Sequence, residues 1–528
     1  MSVDSTYRTG TRGTAGALVE EFAAAPDAGV REAYRRLVEA VWDGGTLTGL
    51  ALPAASEIVD GLDRAGDDRA GLLAVLLGLL AEAEAYVPDS PVRAAVRRGM
   101  DRYLDLLDRC GPDEPLAQGL IYLLAHFPED RDRILTQVSR LELPADDLSR
   151  LDRCLRELDP ADPDLGRVWP APSVWRLTDE EKAFDRAWIA SLSPEQITVN
   201  WRNDTRNVWA YMGAKAYWTV RDGVPAAIPR VPHPADTGAT VPPAAEAGPE
   251  LLRPHAAAFR CPACHDRLDF GADDAGGVRC ERCAVTYPVT RGILDLTEGI
   301  SDAAAGTGDE ASANLLRKLA EMPTMGLYYE ALMRPEFLRV AGSNWDSAVT
   351  PASEDAYISS HVRPVDGPVL DLAAGAGRWT GVIAQAVGSE RLVALDMGLP
   401  MLSTLRGKLP EVPAVRASAL ALPFEDASLG AVVCWNALQA FPDDAGTAIA
   451  EVGRCLRPGG TFTLMTFVWD TDPVYRHFQA AHSFPGRPAG MLLFEAEQLR
   501  TWLAEAGMVV REESGSGTFV FITAERAA

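Results

Sequence analysis

Two groups of residues carry chemistry by type and spacing. The first is Cys261-Pro-Ala-Cys264 and Cys280-Glu-Arg-Cys283, two CxxC knuckles fifteen residues apart. Paired knuckles can place four thiolates around one tetrahedral ion, and zinc is the expected occupant. A redox role fits less well, because this spacing matches a ribbon and not a thioredoxin-like unit. The second group lies in Val369-Leu-Asp-Leu-Ala-Ala-Gly-Ala-Gly-Arg-Trp-Thr380. An apolar run enters Asp371, the small residues Ala373, Gly375 and Gly377 follow, and a helical pattern begins at Trp379. Strand, tight turn and helix in that order let a ligand approach main-chain N–H groups at a helix N-terminus. Asp396 and Met397 close the next apolar run, where a carboxylate can take both hydroxyls of a ribose. The loop alone does not choose between dinucleotide cofactors and others.

The elements downstream narrow the choice. They are the segment Ala417-Ser-Ala-Leu-Ala-Leu-Pro-Phe-Glu-Asp, the strand Ala431-Val-Val-Cys-Trp435, the turn Leu456-Arg-Pro-Gly-Gly460, and a closing hairpin through Met508–Arg511 and Thr518–Thr523. In this order they resemble the class I S-adenosylmethionine (SAM)-dependent methyltransferases, from about residue 310 onward. The resemblance implies that Asp371 and the loop of Ala373, Gly375 and Gly377 face the methionine part of SAM. It also implies that Asp396 with Met397 holds the ribose, that Ser418, Ala419 and Leu420 lie by the adenine, and that Trp435 stands where cofactor and acceptor meet. Two positions depart from the family: Ala373 replaces a usual glycine, and Ser418 an aspartate that bonds the adenine amino group. Both bear on SAM affinity and leave the identity of the cofactor unchanged.

On the acceptor side, family members close the pocket with a helical segment before the domain and an insertion after the fifth strand. The first gives Tyr328 and Tyr329; the second gives His477 and His482 as general-base candidates for an O- or N-nucleophile. The plainer reading of all four is packing or surface. The Asn/Asp-Pro-Pro-aromatic signature of exocyclic-amine DNA methyltransferases is absent after Trp435. The sequence following Cys283 resembles the zinc ribbons of small activator subunits of tRNA and protein methyltransferases. Ribbons of this kind are also fused in front of some bacterial rRNA and plant plastid methyltransferases.

The remaining organisation follows from patterning. Residues 1–165 show apolar positions at spacings of three and four, as in Val30–Trp42, and predict an all-α domain, either a HEAT-like α-solenoid or a plain bundle. Segments at 55–64, 69–85, 91–107, 115–127, 131–143 and 146–158 read as its helices. The run Ala70–Ala81 is too short to span a bilayer and reads as a buried helix. Residues 166–222 form a Trp-rich helical extension, with Thr178-Asp-Glu-Glu181 as a capping box. Residues 223–254 carry eight prolines and read as a linker. Residues 255–300 are the ribbon, 301–360 a helical lid, and 361–528 an α/β Rossmann-like methyltransferase domain. The ribbon holds little apolar material, so metal is expected to supply much of its folding energy.

The chain has 528 residues and a formal net charge of -25, which disfavours a polyanionic partner without excluding one. No secretory leader is expected, and unpaired cysteines suit a reducing cytoplasm. The function expected is methyl transfer from SAM to an O- or N-nucleophile of a small molecule or modified peptide, in specialised metabolism. Methylation of an rRNA or tRNA base is the alternative, and a non-catalytic SAM-domain scaffold the second. The helical domain is a candidate surface for a protein partner, and no membrane association is expected.

Overall fold

The computed structural model describes residues 4–163, 179–226, 243–244, 246–271, 277–297, 334, 337–338, 344–441, 444–481 and 493–528. It divides into two compact units, one formed by residues 1–227 with 470–483, the other by 228–469 with 484–528.

Among the described residues the first unit is helical apart from a hairpin of two short strands, β1 (Trp42–Asp43) and β2 (Thr46–Leu47). Its centre is the helix Asp67–Ala83, in which every residue from Ala70 to Ala81 is buried. A helix apolar on all sides must be surrounded, and here the helices Pro115–Leu124, Pro194–Asp222, Ala51–Gly61 and Pro91–Arg97 pack against it. The stretch 91–107, which reads as one helix, is two, Pro91–Arg97 and Met100–Leu107. The break falls at Gly99, whose missing side chain leaves room for the Tyr103 ring; a Cβ there would lie 2.4 Å from it. The helix Pro194–Asp222 starts with a Ser193/Gln196 capping box and stops at Gly223, φ +98°. It buries Trp201 and Trp209, and the Trp209 indole donates to the Ala125 carbonyl at 3.1 Å. The residues on both sides of position 165 belong to this one unit.

The helix Pro473–Ala481 also belongs to this unit, although in sequence it follows the fifth strand of the Rossmann-like pattern. Asp472 caps it, with Oδ1 accepting from the Val474 and Tyr475 amides and Oδ2 from the Tyr217 hydroxyl at 2.8 Å. Phe478 lies against Gly213, where a Cβ would come within 2.2 Å of the ring. His477 meets Glu82 at 3.1 Å and Trp42 edge to face. Burial alone would raise the Glu82 carboxyl, but His126 and His477 beside it hold it below the usual carboxylate range.

The second unit is built on one sheet. Its strands are β3 (Leu268–Asp269), β4 (Gly277–Cys280), β5 (Thr286–Thr290), β6 (Ile293–Asp295), β7 (Val369–Leu372), β8 (Leu392–Asp396), β9 (Ala414–Arg416), β10 (Leu429–Trp435), β11 (Leu456–Phe467), β12 (Met508–Ser514) and β13 (Phe519–Arg526). Their order is β12-β13-β11-β10-β7-β8-β9-β6-β5-β4-β3. Strands β11, β10, β7, β8, β9 and β6 run parallel, and β13 and β12 close that edge antiparallel. The central strands β7 and β10 are buried along their whole length, as a sheet covered on both faces requires. This is a Rossmann-like fold with an antiparallel pair at one edge.

The four-cysteine segment is continuous with that sheet. β6 pairs with β9 in register Ile293↔Ala414, Leu294↔Val415 and Asp295↔Arg416, and Asp295 and Arg416 pair again through their side chains at 3.0 Å. Phe259 packs against Phe424 with the ring centroids 4.8 Å apart and the planes tilted by 34°, and Phe259, Tyr287 and Leu294 share one core cluster with Leu370, Val393 and Phe424. The segment therefore draws on the apolar surface of the Rossmann-like part as well as on its own. The expectation that a metal supplies much of its folding energy counted only the segment's own residues, and this shared core adds to them. Among the described residues, no helix is long and apolar enough to cross a membrane.

Candidate functional site

The carboxyl ends of β7, β8 and β9 meet at one edge of the sheet, where open α/β folds place their ligands. The chain leaves β7 through Ala373 (φ +59°), Gly375 (φ +54°) and Gly377 (φ +89°) before the helix Arg378–Val387 begins. Three left-handed residues within five turn the chain sharply. At Gly377 a Cβ would also strike Leu405, 2.9 Å away. Ala373 occupies one of these left-handed positions, which accounts physically for glycine being the usual residue there and puts its strain at about 1 kcal/mol.

Asp396 ties this loop to the next. Its Oδ2 accepts from the Gly375 amide at 2.9 Å and its Oδ1 from the Gly398 amide at 2.7 Å. Burial raises its pKa, against the lowering pull of the Gly398, Gly375 and Met397 amides. A carboxylate has about four acceptor directions, so two amides leave it room for a diol. The Asp396 carbonyl takes the Ala417 amide at 3.3 Å, which brings the turn Ser418–Leu420 alongside; within it, Ser418 Oγ accepts from the Leu420 amide at 3.1 Å. Met397 and Leu399 stand exposed beside Asp396, an apolar surface at the strand end.

Asp371 is buried at the mouth of the loop and accepts from the Thr380 hydroxyl at 2.5 Å. Desolvation lifts its pKa to about 7; Thr380 opposes the rise and Asp396 adds to it. Trp435 ends β10 with its indole in the core, packed near Tyr357 and Phe521 and donating to Glu354 Oε1 at 2.9 Å. The ring is thus engaged in the core, and the strand beside it is paired with β11 at Met465.

The structure thus brings Asp371, Ala373, Gly375, Gly377, Asp396, Met397, Ser418, Ala419 and Leu420 to one place. His477 belongs to the helical unit, where Glu82 and Trp42 engage its ring. Tyr328, Tyr329, His482, the Thr178 end of the capping box and most of the linker lie outside the described residues.

Residues 369–460 match the methyltransferase-domain family. They form a class I SAM-dependent methyltransferase domain. An uncharacterized chloroplastic methyltransferase of Arabidopsis thaliana is 27% identical to this chain over 232 residues, covering 40% of this chain and 61% of that one. A second chloroplastic methyltransferase of that plant is 28% identical over 247 residues, covering 42% and 66%. A demethylmenaquinone methyltransferase of Lactococcus lactis is 31% identical over 143 residues, covering 25% and 56%. The chain therefore spans less than two thirds of each of these relatives. In the methyltransferase domain the loop and Asp396 stand together at the carboxyl ends of β7 and β8.

The four cysteines form a second site. Their sulfur atoms all lie within 4.8 Å of one another, with Cys261–Cys283 at 3.7 Å and Cys264–Cys280 at 3.4 Å. Four thiolates around an ion at about 2.3 Å stand about 3.8 Å apart, so the cluster suits a tetrahedral metal. His265 (φ +61°) and Ala284 (φ +62°), each just after a knuckle, take matching left-handed turns. Cys261 Sγ meets the Tyr287 hydroxyl at 3.2 Å, the kind of outer contact that orients a ligand.

One residue of the methyltransferase unit was not foreseen. Arg334 is buried and pairs with Glu354 at 2.5 Å, the carboxylate that also holds Trp435. Its only sequence signal is a cation beside Pro335 in an aromatic stretch, and no spacing rule connects it to Trp379.

Proposed function

We propose that this protein is a SAM-dependent methyltransferase acting on an O- or N-nucleophile of a small molecule or modified peptide, with one zinc ion held by Cys261, Cys264, Cys280 and Cys283. The observation that carries the reading is the Asp396 carboxylate at the end of β8, fixed by the Gly375 and Gly398 amides beside a left-handed loop in a methyltransferase domain. Such a sulfonium donor arrives already activated, so the protein's work is to orient the two partners and exclude water. Asp396 would hold the ribose, the Ser418–Leu420 turn the adenine, and Met397 would cover its face. Zinc is supported by the sulfur spacings and would brace the β3–β6 strands that extend the sheet beyond β9.

A small acceptor is favoured by the acidic charge of -25, which repels nucleic acid. The name of the Lactococcus relative favours a second reading, transfer to an activated ring carbon, since that protein is named for a quinone precursor. A protein-contact role for the helical unit, a place in specialised metabolism and a cytoplasmic setting belong to the same proposal. Incubation with methyl-labelled SAM and fractionated small-molecule extract, with nucleic acid as a parallel acceptor, tests it. Label in a small organic product supports the reading, and label confined to RNA contradicts it.

A further inference from the structure

Burying a hydrogen-bond donor without a partner costs free energy, more so on a cation. The methyltransferase unit buries three such donors in one neighbourhood. Arg334 Nε and Nη1 and Trp379 Nε1 are all buried without a hydrogen-bond partner, and the two residues are 5% and 8% exposed. The guanidinium carbon lies 5.6 Å from the Trp379 ring, 5.5 Å from Phe337 and 5.7 Å from Phe519. Glu354 takes only Nη2 of the guanidinium. Trp379 is the second residue of the helix that starts after Gly377, so the group adjoins the cofactor loop, and Phe337 reaches Phe467 at the carboxyl end of β11.

We propose that Arg334 and Trp379 receive the carboxylate of the cofactor's methionine moiety. This rests on the SAM reading of the loop. That moiety presents one anion and two cations, and Asp371 and Asp396 are both acids, so the anion needs a donor from elsewhere. Arg378 at the loop is already bound through both oxygens of Asp355 at 2.8 Å, and Lys408 donates to the Ala376 carbonyl at 3.2 Å. Arg334 brings a positive charge with open N–H groups, and the Trp379 indole adds a neutral donor to it. The aromatic rings around the guanidinium keep water away and strengthen a bond to an oxyanion.

The test is calorimetric affinity for SAM and for decarboxylated SAM, which differ only in that carboxylate, with the full-length wild type, Arg334→Lys and Trp379→Phe. Arg334→Lys keeps a cation beside Glu354, and Trp379→Phe keeps an aromatic ring in the core while removing the indole N–H and two ring carbons, so both are chosen to fold. For SAM, Arg334→Lys is expected to lose about 10-fold and Trp379→Phe about 3-fold or more, while decarboxylated SAM binds the variants like the wild type. Unchanged SAM affinity in both variants overturns the proposal. An equal loss for the two ligands also overturns it, since it marks a structural role. A wild type that binds neither ligand instead refutes the SAM reading itself.

Discussion

Asp371→Asn isolates the electrostatic cost of burying an acid at the mouth of the Ala373–Gly377 loop. Asp371 is 2% exposed, and its pKa rises from 3.8 to about 7, chiefly because burial removes the water that would solvate its charge. An acid whose folded pKa exceeds its unfolded value binds more protons when folded. The wild type therefore loses stability as pH rises from about 4 to about 7. A shift of about 3 units corresponds to roughly 4 kcal/mol in full, of which roughly 2 kcal/mol falls between pH 5.5 and pH 8. Asparagine keeps an acceptor for the Thr380 hydroxyl and never ionises. Urea unfolding of wild type and variant without cofactor, across pH 5.5–8, should show the variant gaining about 2 kcal/mol on the wild type over that window. Parallel profiles, or a variant that falls behind as pH rises, would refute the reasoning.

Further outcomes follow from the same contacts. Asp396→Ala should weaken SAM binding by at least about 10-fold, the worth of a charge-assisted bond, while far-UV circular dichroism stays unchanged; unaltered affinity would remove Asp396 from the site. Metal analysis should find about one zinc per chain, lost in Cys261→Ser, and an intact protein free of zinc would exclude the metal. Phe424→Ala removes the ring under Phe259 and should destabilise the methyltransferase unit by about 3–5 kcal/mol; a loss below about 1 kcal/mol would mean the four-cysteine segment does not share that core. Gly213→Val would press on Phe478 and should lower the thermal midpoint of the helical unit, at a cost of about 1–3 kcal/mol. An unchanged midpoint would argue against the close packing of the helix Pro473–Ala481.

Much of the geometry around the β7 loop and Asp396 was legible in the sequence because its signals are local. A strand ending in Asp371, small residues at left-handed positions and a carboxylate at the end of the next strand each follow from a few neighbouring residues. The Cys spacing is equally local, and the run Ala70–Ala81 announces burial by composition alone. What stayed hidden depends on distant partners. The stretch carrying His477 reads as an insertion after the fifth strand, and only Gly213, Tyr217 and Glu82 assign its helix to the helical unit. Arg334 meets Glu354 and Trp379 through the fold and not through spacing. The shared core of Phe259 and Phe424 joins residues 165 positions apart, so the four-cysteine segment looked poorer in apolar contacts than it is.

The central claim is that the edge of the sheet around Asp396 binds the nucleoside of SAM, and a crystal structure with S-adenosylhomocysteine tests it most directly. The account predicts the ribose hydroxyls on Asp396, the adenine against Met397 and Ser418–Leu420, and the thioether beside the Gly375–Gly377 turn. A nucleoside bound elsewhere, with Asp396 touching only the Gly375 and Gly398 amides, would contradict it.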